Sequence, residues 1–197
     1  MSQSVVNLAC PSCGAPATTS SISCEFCKRP IVISTFTSIA DMSLPDINKY
    51  ARSYGAALAE NPGNRLLNNS LAMCYLKLKL YDKAISAFEK AIEATTDNSE
   101  TYFYAAIVLL RGKKAFLATR DTINRIEEYI TAAIMIEPRG IYHYFHAYIK
   151  YDYYSRKCFI TSPTYQELLE CARAAGFHPA DVEQLFALLG VAKPEAL

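Results

Sequence analysis

Residues 65–98 read RLLNNSLAMCYLKLKLYDKAISAFEKAIEATTDN, and this stretch decides the fold. Apolar residues recur every three or four positions on both sides of a short break at residues 77–79. Each side therefore predicts an amphipathic helix with one apolar face. The two stripes are Leu67, Leu71, Tyr75 and Leu78, followed by Tyr81, Ile85, Phe88 and Ile92. Neither helix can bury its face alone, so we expect them to pack together as a helix-turn-helix pair.

The same stretch carries small and aromatic residues at a fixed spacing. They are Ala72, Tyr75, Ala84, Phe88 and Ala91. In this pattern the segment resembles a tetratricopeptide repeat, in which a small residue on the first helix lets the second approach closely. It departs from the family pattern at Asn68, where an aromatic residue is usual, and at Ala72, where glycine is usual. The resemblance implies a short α-solenoid, because a single unit of about 34 residues buries too little surface to be stable.

Similar patterns flank this unit on both sides. Residues 43–61 predict the second helix of a preceding half-repeat, and Asn64 is placed to cap the next helix. The first-helix pattern restarts at Tyr102 and the second-helix pattern at Ile126, with an insertion at residues 113–121 between them. Another first helix is expected over residues 141–154, but no partner of the same pattern follows it. The tetratricopeptide-like repeats are therefore assigned to residues 41–160.

The last residues predict two further helices. Ser162 and Pro163 provide a cap and a favoured first helical residue, and Gly176 and Gly190 provide stops. We expect residues 161–197 to form a helical hairpin that caps the solenoid. A DNA-reading helix-turn-helix is the alternative, but the second helix opens with acidic residues and contains no Lys or Arg. The overall prediction is a mainly α protein with a small N-terminal β zinc ribbon.

Four cysteines in two pairs provide the strongest chemical signal. They are Cys10, Cys13, Cys24 and Cys27. A two-residue gap lets both sulfurs of a pair reach one tetrahedral Zn²⁺, and four cysteines leave no open position for catalysis. The pattern therefore predicts one structural Zn²⁺ per chain, in a compact ribbon within residues 1–40 and with a closing strand at residues 31–33. Two disulfides and a redox centre are alternatives that the paired spacing and the absence of a thioredoxin-type context disfavour.

Charge and hydropathy restrict the function and the compartment. The formal net charge is +1, and Lys28 and Arg29 are the only basic residues in the first forty, which disfavours nucleic acid as the partner. No apolar run is long enough to cross a bilayer, and the residues before Cys10 lack the features of an export signal. A soluble, cytoplasmic protein is expected.

The expected function is a protein-interaction adaptor rather than an enzyme. A partner protein or peptide would bind in a groove lined by the first helix of each repeat. The residues assigned to this groove are Asn69, Met73, Phe103, Ile107, Arg111, Tyr142, Phe145 and His146. No Gly-rich phosphate loop is present, and Cys74, Cys158 and Cys171 lack an assignable base. Two alternatives remain: a nucleic-acid-associated factor that contacts RNA or DNA through the ribbon, and an enzyme subunit whose partner supplies the chemistry.

Overall fold

The computed structural model describes residues 5–94 and 97–197. The described chain is mainly helical, with two short strands near its start, as the sequence predicted. Contacts divide it into two compact units, Met1–Thr96 and Asp97–Leu197. Among the described residues, no helix is long and apolar enough to cross a membrane. The domain boundaries after residues 40 and 160 stay predictions.

The first unit contains a two-stranded antiparallel sheet and three helices. Strand β1 (Asn7–Ala9) pairs with β2 (Pro16–Thr18) in a register that sets Leu8 opposite Ala17. The helices are α1 (Leu44–Glu60), α2 (Arg65–Lys77) and α3 (Tyr81–Ala94), and α2 packs against both α1 and α3. Asn64 caps α2 as predicted, because its side chain accepts a hydrogen bond from the Leu67 amide at 3.1 Å.

Small buried residues let α2 and α3 approach each other. Ala72 on α2 and Ala84 on α3 are fully buried, as are Phe88 and, almost completely, Ala91. The break between the two helices contains Lys79 in the left-handed region, with φ of 57°. The helix-turn-helix pair predicted from residues 65–98 is therefore present in the described part of this stretch.

The second unit contains helices α4 (Ser99–Leu109), α5 (Arg120–Ile136), α6 (Gly140–Ile149), α7 (Tyr165–Ala175) and α8 (Pro179–Leu189). Helix α4 packs against α5, and α6 packs against α7. A short 3₁₀ turn, Ala115–Leu117, lies in the predicted insertion. Helix α6 continues into one turn of π-helix, Lys150–Tyr154.

The partner of α6 was missed from the sequence. We found no second-helix pattern after residue 154, yet α7 packs along α6, and α8 contacts α6 and α4. A Cβ at Gly140 would lie 2.3 Å from the Gly176 carbonyl oxygen, so the start of α6 lies directly against the end of α7. The cap of α7 is also two residues later than Ser162: Thr164 and Glu167 form a capping box.

The predicted strand at residues 31–33 is wrong. The only pairing nearby is an isolated bridge between Ser23 and Pro30. Ile31 and Ile33 are instead fully buried, and the Ile31 carbonyl accepts a hydrogen bond from the Tyr54 hydroxyl at 2.8 Å. Helix side chains thus satisfy part of this backbone, while the Ile31 amide donates to the Ile22 carbonyl at 3.1 Å.

Candidate metal centre and interaction surfaces

The two cysteine pairs form turns of the same design. In the first turn the Gly14 amide donates to the Cys10 carbonyl at 2.9 Å, and the Cys10 amide donates to the Ala15 carbonyl. In the second, the Lys28 amide donates to the Cys24 carbonyl at 2.9 Å, and the Cys24 amide donates to Arg29. The first turn joins β1 to β2. Each turn therefore presents both of its sulfurs on one side.

The four sulfurs converge on one point. They lie within 4.8 Å of one another, with 3.6 Å between Cys10 and Cys27 and 3.6 Å between Cys13 and Cys24. Four sulfurs at 2.3 Å from a tetrahedral Zn²⁺ would be about 3.8 Å apart, so the spacing fits this ion. Among the described residues, these cysteines form the only group of three or more potential ligands.

Backbone amides favour thiolate at this centre. The backbone hydrogen bond of Cys27 lowers the pKa of the Cys24 thiol to about 6, with a further contribution from Phe26 and against the effect of burial. For Cys13 the Ala15 backbone also lowers the pKa, but burial and the neighbouring thiols outweigh it and raise the pKa to about 12. Four thiols packed this closely cannot all ionise unless a cation lies between them. A divalent metal ion bound between the sulfurs would stabilise the thiolate form.

The ribbon is fastened to the first two helices. The Tyr50 hydroxyl donates to the Pro30 carbonyl at 3.0 Å, and the Ser53 hydroxyl donates to the Ala9 carbonyl at 3.2 Å. On α2, the Ser70 hydroxyl accepts from the Ile33 amide at 3.0 Å. An ion pair of 3.2 Å joins Arg29 to Asp46 on α1. The ribbon and these helices consequently share one buried interface within the first unit.

This interface occupies the part of the predicted groove that lies in the first unit. Asn69 and Met73 are buried, and the Asn69 amide nitrogen lies 3.4 Å from the Ile33 carbonyl oxygen. The α2 face that we assigned to a partner peptide therefore contacts the chain's own Ile33 through Asn69.

The groove residues of the second unit are also buried, with one exception. Phe103 stacks on Tyr142 with ring centroids 4.7 Å apart and meets Phe145 edge-on at 5.8 Å. Ile107 is buried, and Arg111 is exposed. These rings pack against one another between α4 and α6. The assignment of these residues to a partner stays a prediction that burial in this structure does not favour.

His146 belongs to a buried polar cluster that the sequence did not reveal. Its Nε2 lies 3.3 Å from Glu127 Oε1, which also pairs with Lys150 at 2.6 Å, while the Tyr154 hydroxyl donates to Glu127 Oε2 at 2.6 Å. Burial raises the pKa of Glu127, but hydrogen bonds from His146, Lys150 and Tyr154 outweigh it and lower the pKa to about 2. His146, Lys150 and Tyr154 follow one another at intervals of four residues, a spacing that places them on one helix face toward the same carboxylate.

An open pocket of about 720 Å³ lies among α6, α7 and α8. Its lining is mainly apolar, with Tyr144, Phe177 and Phe186 as the large rings. Residues 193–197 form one wall, where the Tyr144 hydroxyl donates to the Leu197 carbonyl at 3.2 Å. The chain's own final segment thus lies against this pocket.

A match to a family model agrees with the repeat pattern. A tetratricopeptide repeat family model matches residues 51–111, which confirms the resemblance seen in the sequence over this part of the chain. The solved chain titled "MamA MSR-1 C2" is similar at a TM-score of 0.49, with 16% identity over 77% of this chain and 73% of that one. A similarity of this size carries no information about function. No curated protein matches the chain.

Proposed function

We propose that this chain is a protein-interaction scaffold without catalytic activity of its own. The observation that carries the proposal is the succession of packed helix pairs in which residues 51–111 match tetratricopeptide repeats. Stacked repeats of this kind expose long helix surfaces, and proteins use such surfaces to bind other proteins. The buried polar groups also serve packing: Ser70 binds the ribbon backbone, and Glu127 joins α5 to α6.

We further propose that the four cysteines hold one structural Zn²⁺. Cysteine sulfur is a preferred ligand of this ion, and the 3.6 Å spacings suit its tetrahedral geometry. A site closed by four protein ligands stabilises the fold and leaves no position for substrate. The metal would fix the two cysteine turns and, through them, the segment that binds Tyr50 and Tyr54.

Nucleic acid is the second candidate partner, and the ribbon offers it little. Of its two basic residues, Arg29 is engaged by Asp46, which leaves Lys28. Phe26 is exposed, and its ring could stack on a base. A ribbon whose exposed side chains include Ile22 and Phe26 is better suited to a protein surface.

The test is reconstitution with purified components. The full-length chain is immobilised, and the proteins that it retains after nuclease treatment are identified. Each of these proteins is then expressed alone and mixed with the purified chain. Light scattering measures the mass of any complex that forms. The proposal expects a defined complex that needs no nucleic acid. Tight binding of a labelled single-stranded oligonucleotide, abolished by Phe26→Ala with Lys28→Glu, together with the lack of any reconstituted protein complex, would establish the nucleic-acid alternative instead.

A further inference from the structure

The insertion between α4 and α5 is strongly basic. The predicted insertion, residues 113–121, and the two residues before it read RGKKAFLATRD and contain four cations and one acid, Asp121, in a chain whose net charge is only +1. Lys113, Lys114 and Arg120 are exposed. The insertion also interrupts the repeat spacing, so its charge serves no role in the repeat pattern itself.

Helix α6 and the π-helical turn that follows it hold this insertion in place. The Phe116 amide donates to Asp152 Oδ2 at 2.8 Å, and the Ala115 amide donates to the Tyr148 hydroxyl at 3.4 Å. Asp152 and Ala115 are buried. Because buried partners hold its backbone, the insertion presents its cations from a defined position and loses little entropy on binding.

Cations and rings alternate next to the insertion. The Phe116 ring lies 4.7 Å from the Arg156 guanidinium and 5.1 Å from the Lys157 ammonium. Lys157 also lies 3.8 Å from the Tyr153 ring. At the other end, the Arg120 guanidinium lies 4.9 Å from the Tyr154 ring, which packs edge-on against Tyr153 at 5.1 Å. Lys113, Lys114, Arg120, Arg156 and Lys157 together form what we term the basic surface.

Most of this charge is not neutralised within the chain. Arg156 pairs with Asp152, and Asp121 follows Arg120 in the first turn of α5. In residues 5–94 and 97–197, Lys113, Lys114, Arg120 and Lys157 make no ion pair with a carboxylate. A fixed cluster of unpaired cations raises the local potential and attracts an anionic partner.

We propose that the basic surface binds an acidic segment of a partner protein, a proposal that rests on the scaffold function above. Leu117 is 68% exposed beside these cations and provides an apolar contact for such a segment. Nucleic acid fits less well, because single strands stack their bases on open rings. Here Tyr153 and Tyr154 are buried, and cations flank the Phe116 ring.

The experiment measures anisotropy of a synthetic labelled peptide that alternates Glu and Ser around a central Leu. It compares the full-length wild type with Lys113→Glu/Lys114→Glu and with the control Arg52→Glu/Lys90→Glu. Both double variants change the net charge equally, and all four side chains are exposed. The wild type is expected to bind at low salt, with about tenfold weaker binding by the first variant and little change in the control.

Three results would overturn the inference: no peptide binding by the wild type, equal weakening by both double variants, or equal binding of a peptide with Gln in place of Glu. Tighter binding of a single-stranded oligonucleotide than of the acidic peptide would overturn it in favour of phosphate recognition. If a reconstituted protein complex survives Lys113→Glu/Lys114→Glu unchanged, the scaffold function stands and this surface assignment fails. If no protein complex forms at all, the scaffold function itself fails.

Discussion

At the scale of single residues, the two cysteine turns differ in one instructive position. Gly14 and Lys28 occupy equivalent places and both have positive φ, 78° and 60°. Glycine adopts this region freely, whereas a residue with a Cβ is strained there by roughly 1–2 kcal/mol. The second turn therefore contains strain that the first avoids.

Substitutions at these two positions should have opposite effects on stability. Gly14→Ala is expected to lower the free energy of unfolding by about 1 kcal/mol, although no atom lies within 4 Å of the added Cβ. Lys28→Gly is expected to leave it unchanged or raise it, since relief of strain offsets the added freedom of the unfolded chain. Urea unfolding of the metal-loaded protein measures both. A loss of stability in both variants would show that the turns are not equivalent.

At the scale of elements, the contact between α6 and α7 depends on a glycine. A Cβ at Gly140 would meet the Gly176 and Ala172 carbonyl oxygens at 2.3 and 2.6 Å, and both of these are backbone atoms. The helices must separate to accept it. Gly55 lies within α1 and has no atom within 4 Å of the same added group.

This contrast predicts opposite changes in melting temperature. Gly140→Ala should destabilise the protein by about 1–3 kcal/mol through overpacking. Gly55→Ala should stabilise it by up to about 1 kcal/mol, because alanine is the better helix former. Thermal unfolding, monitored by circular dichroism, measures the melting temperatures of both variants. Stabilisation by Gly140→Ala would mean that α7 does not pack on α6 as described.

Helices α5 and α6 are joined by a carboxylate whose effect depends on pH. The pKa of Glu127 is about 2 in the folded protein, against an ordinary value of 4.5. A lowered pKa contributes stability above the unfolded value and loses it as pH falls through the folded value. The contribution is present at neutral pH and disappears as the pH falls from about 5 to about 2.

Glu127→Gln should therefore be less stable than the wild type near pH 7, and the difference in unfolding free energy should shrink in acid. Glu128→Gln is the matched control, because Glu128 is the next residue in the chain and its side chain is exposed. Urea titrations at several pH values measure both differences. A Glu127→Gln difference that is constant from pH 7 to pH 3 would contradict the ion-pair assignment.

At the scale of the whole molecule, hydrophobic periodicity predicted which segments are helices better than it predicted which helices pack together. The stripes around Ala72 and Phe88 identified a helix pair because both faces repeat at helical spacing. The pairing of α6 with α7 was missed because it depends on the absence of a side chain at Gly140, which no periodicity reveals. The strand predicted at residues 31–33 failed for a related reason, since two of its hydrogen-bond partners are the helix side chains of Tyr54 and Ser70, which are distant in sequence.

The candidate sites also differ in how well the sequence predicted them. Cysteine spacing located the four sulfurs that converge, because metal ligation depends on local turns. The groove residues were assigned from the helix face on which they lie. That assignment did not include the tertiary contacts that bury each face. Asn69 is buried and contacts Ile33, and Tyr142 packs on Phe103. The basic surface was not recognised, because its cations come from segments about forty residues apart.

The central claim is that a metal held by four cysteines fixes the ribbon against α1 and α2. Native mass spectrometry of protein purified without chelator tests it most directly. We expect about one zinc ion on the wild type, none on Cys24→Ser, and full retention on Cys171→Ser, whose exposed thiol lies outside the cluster. A metal-free wild type, or equal zinc loss in both variants, would contradict the account.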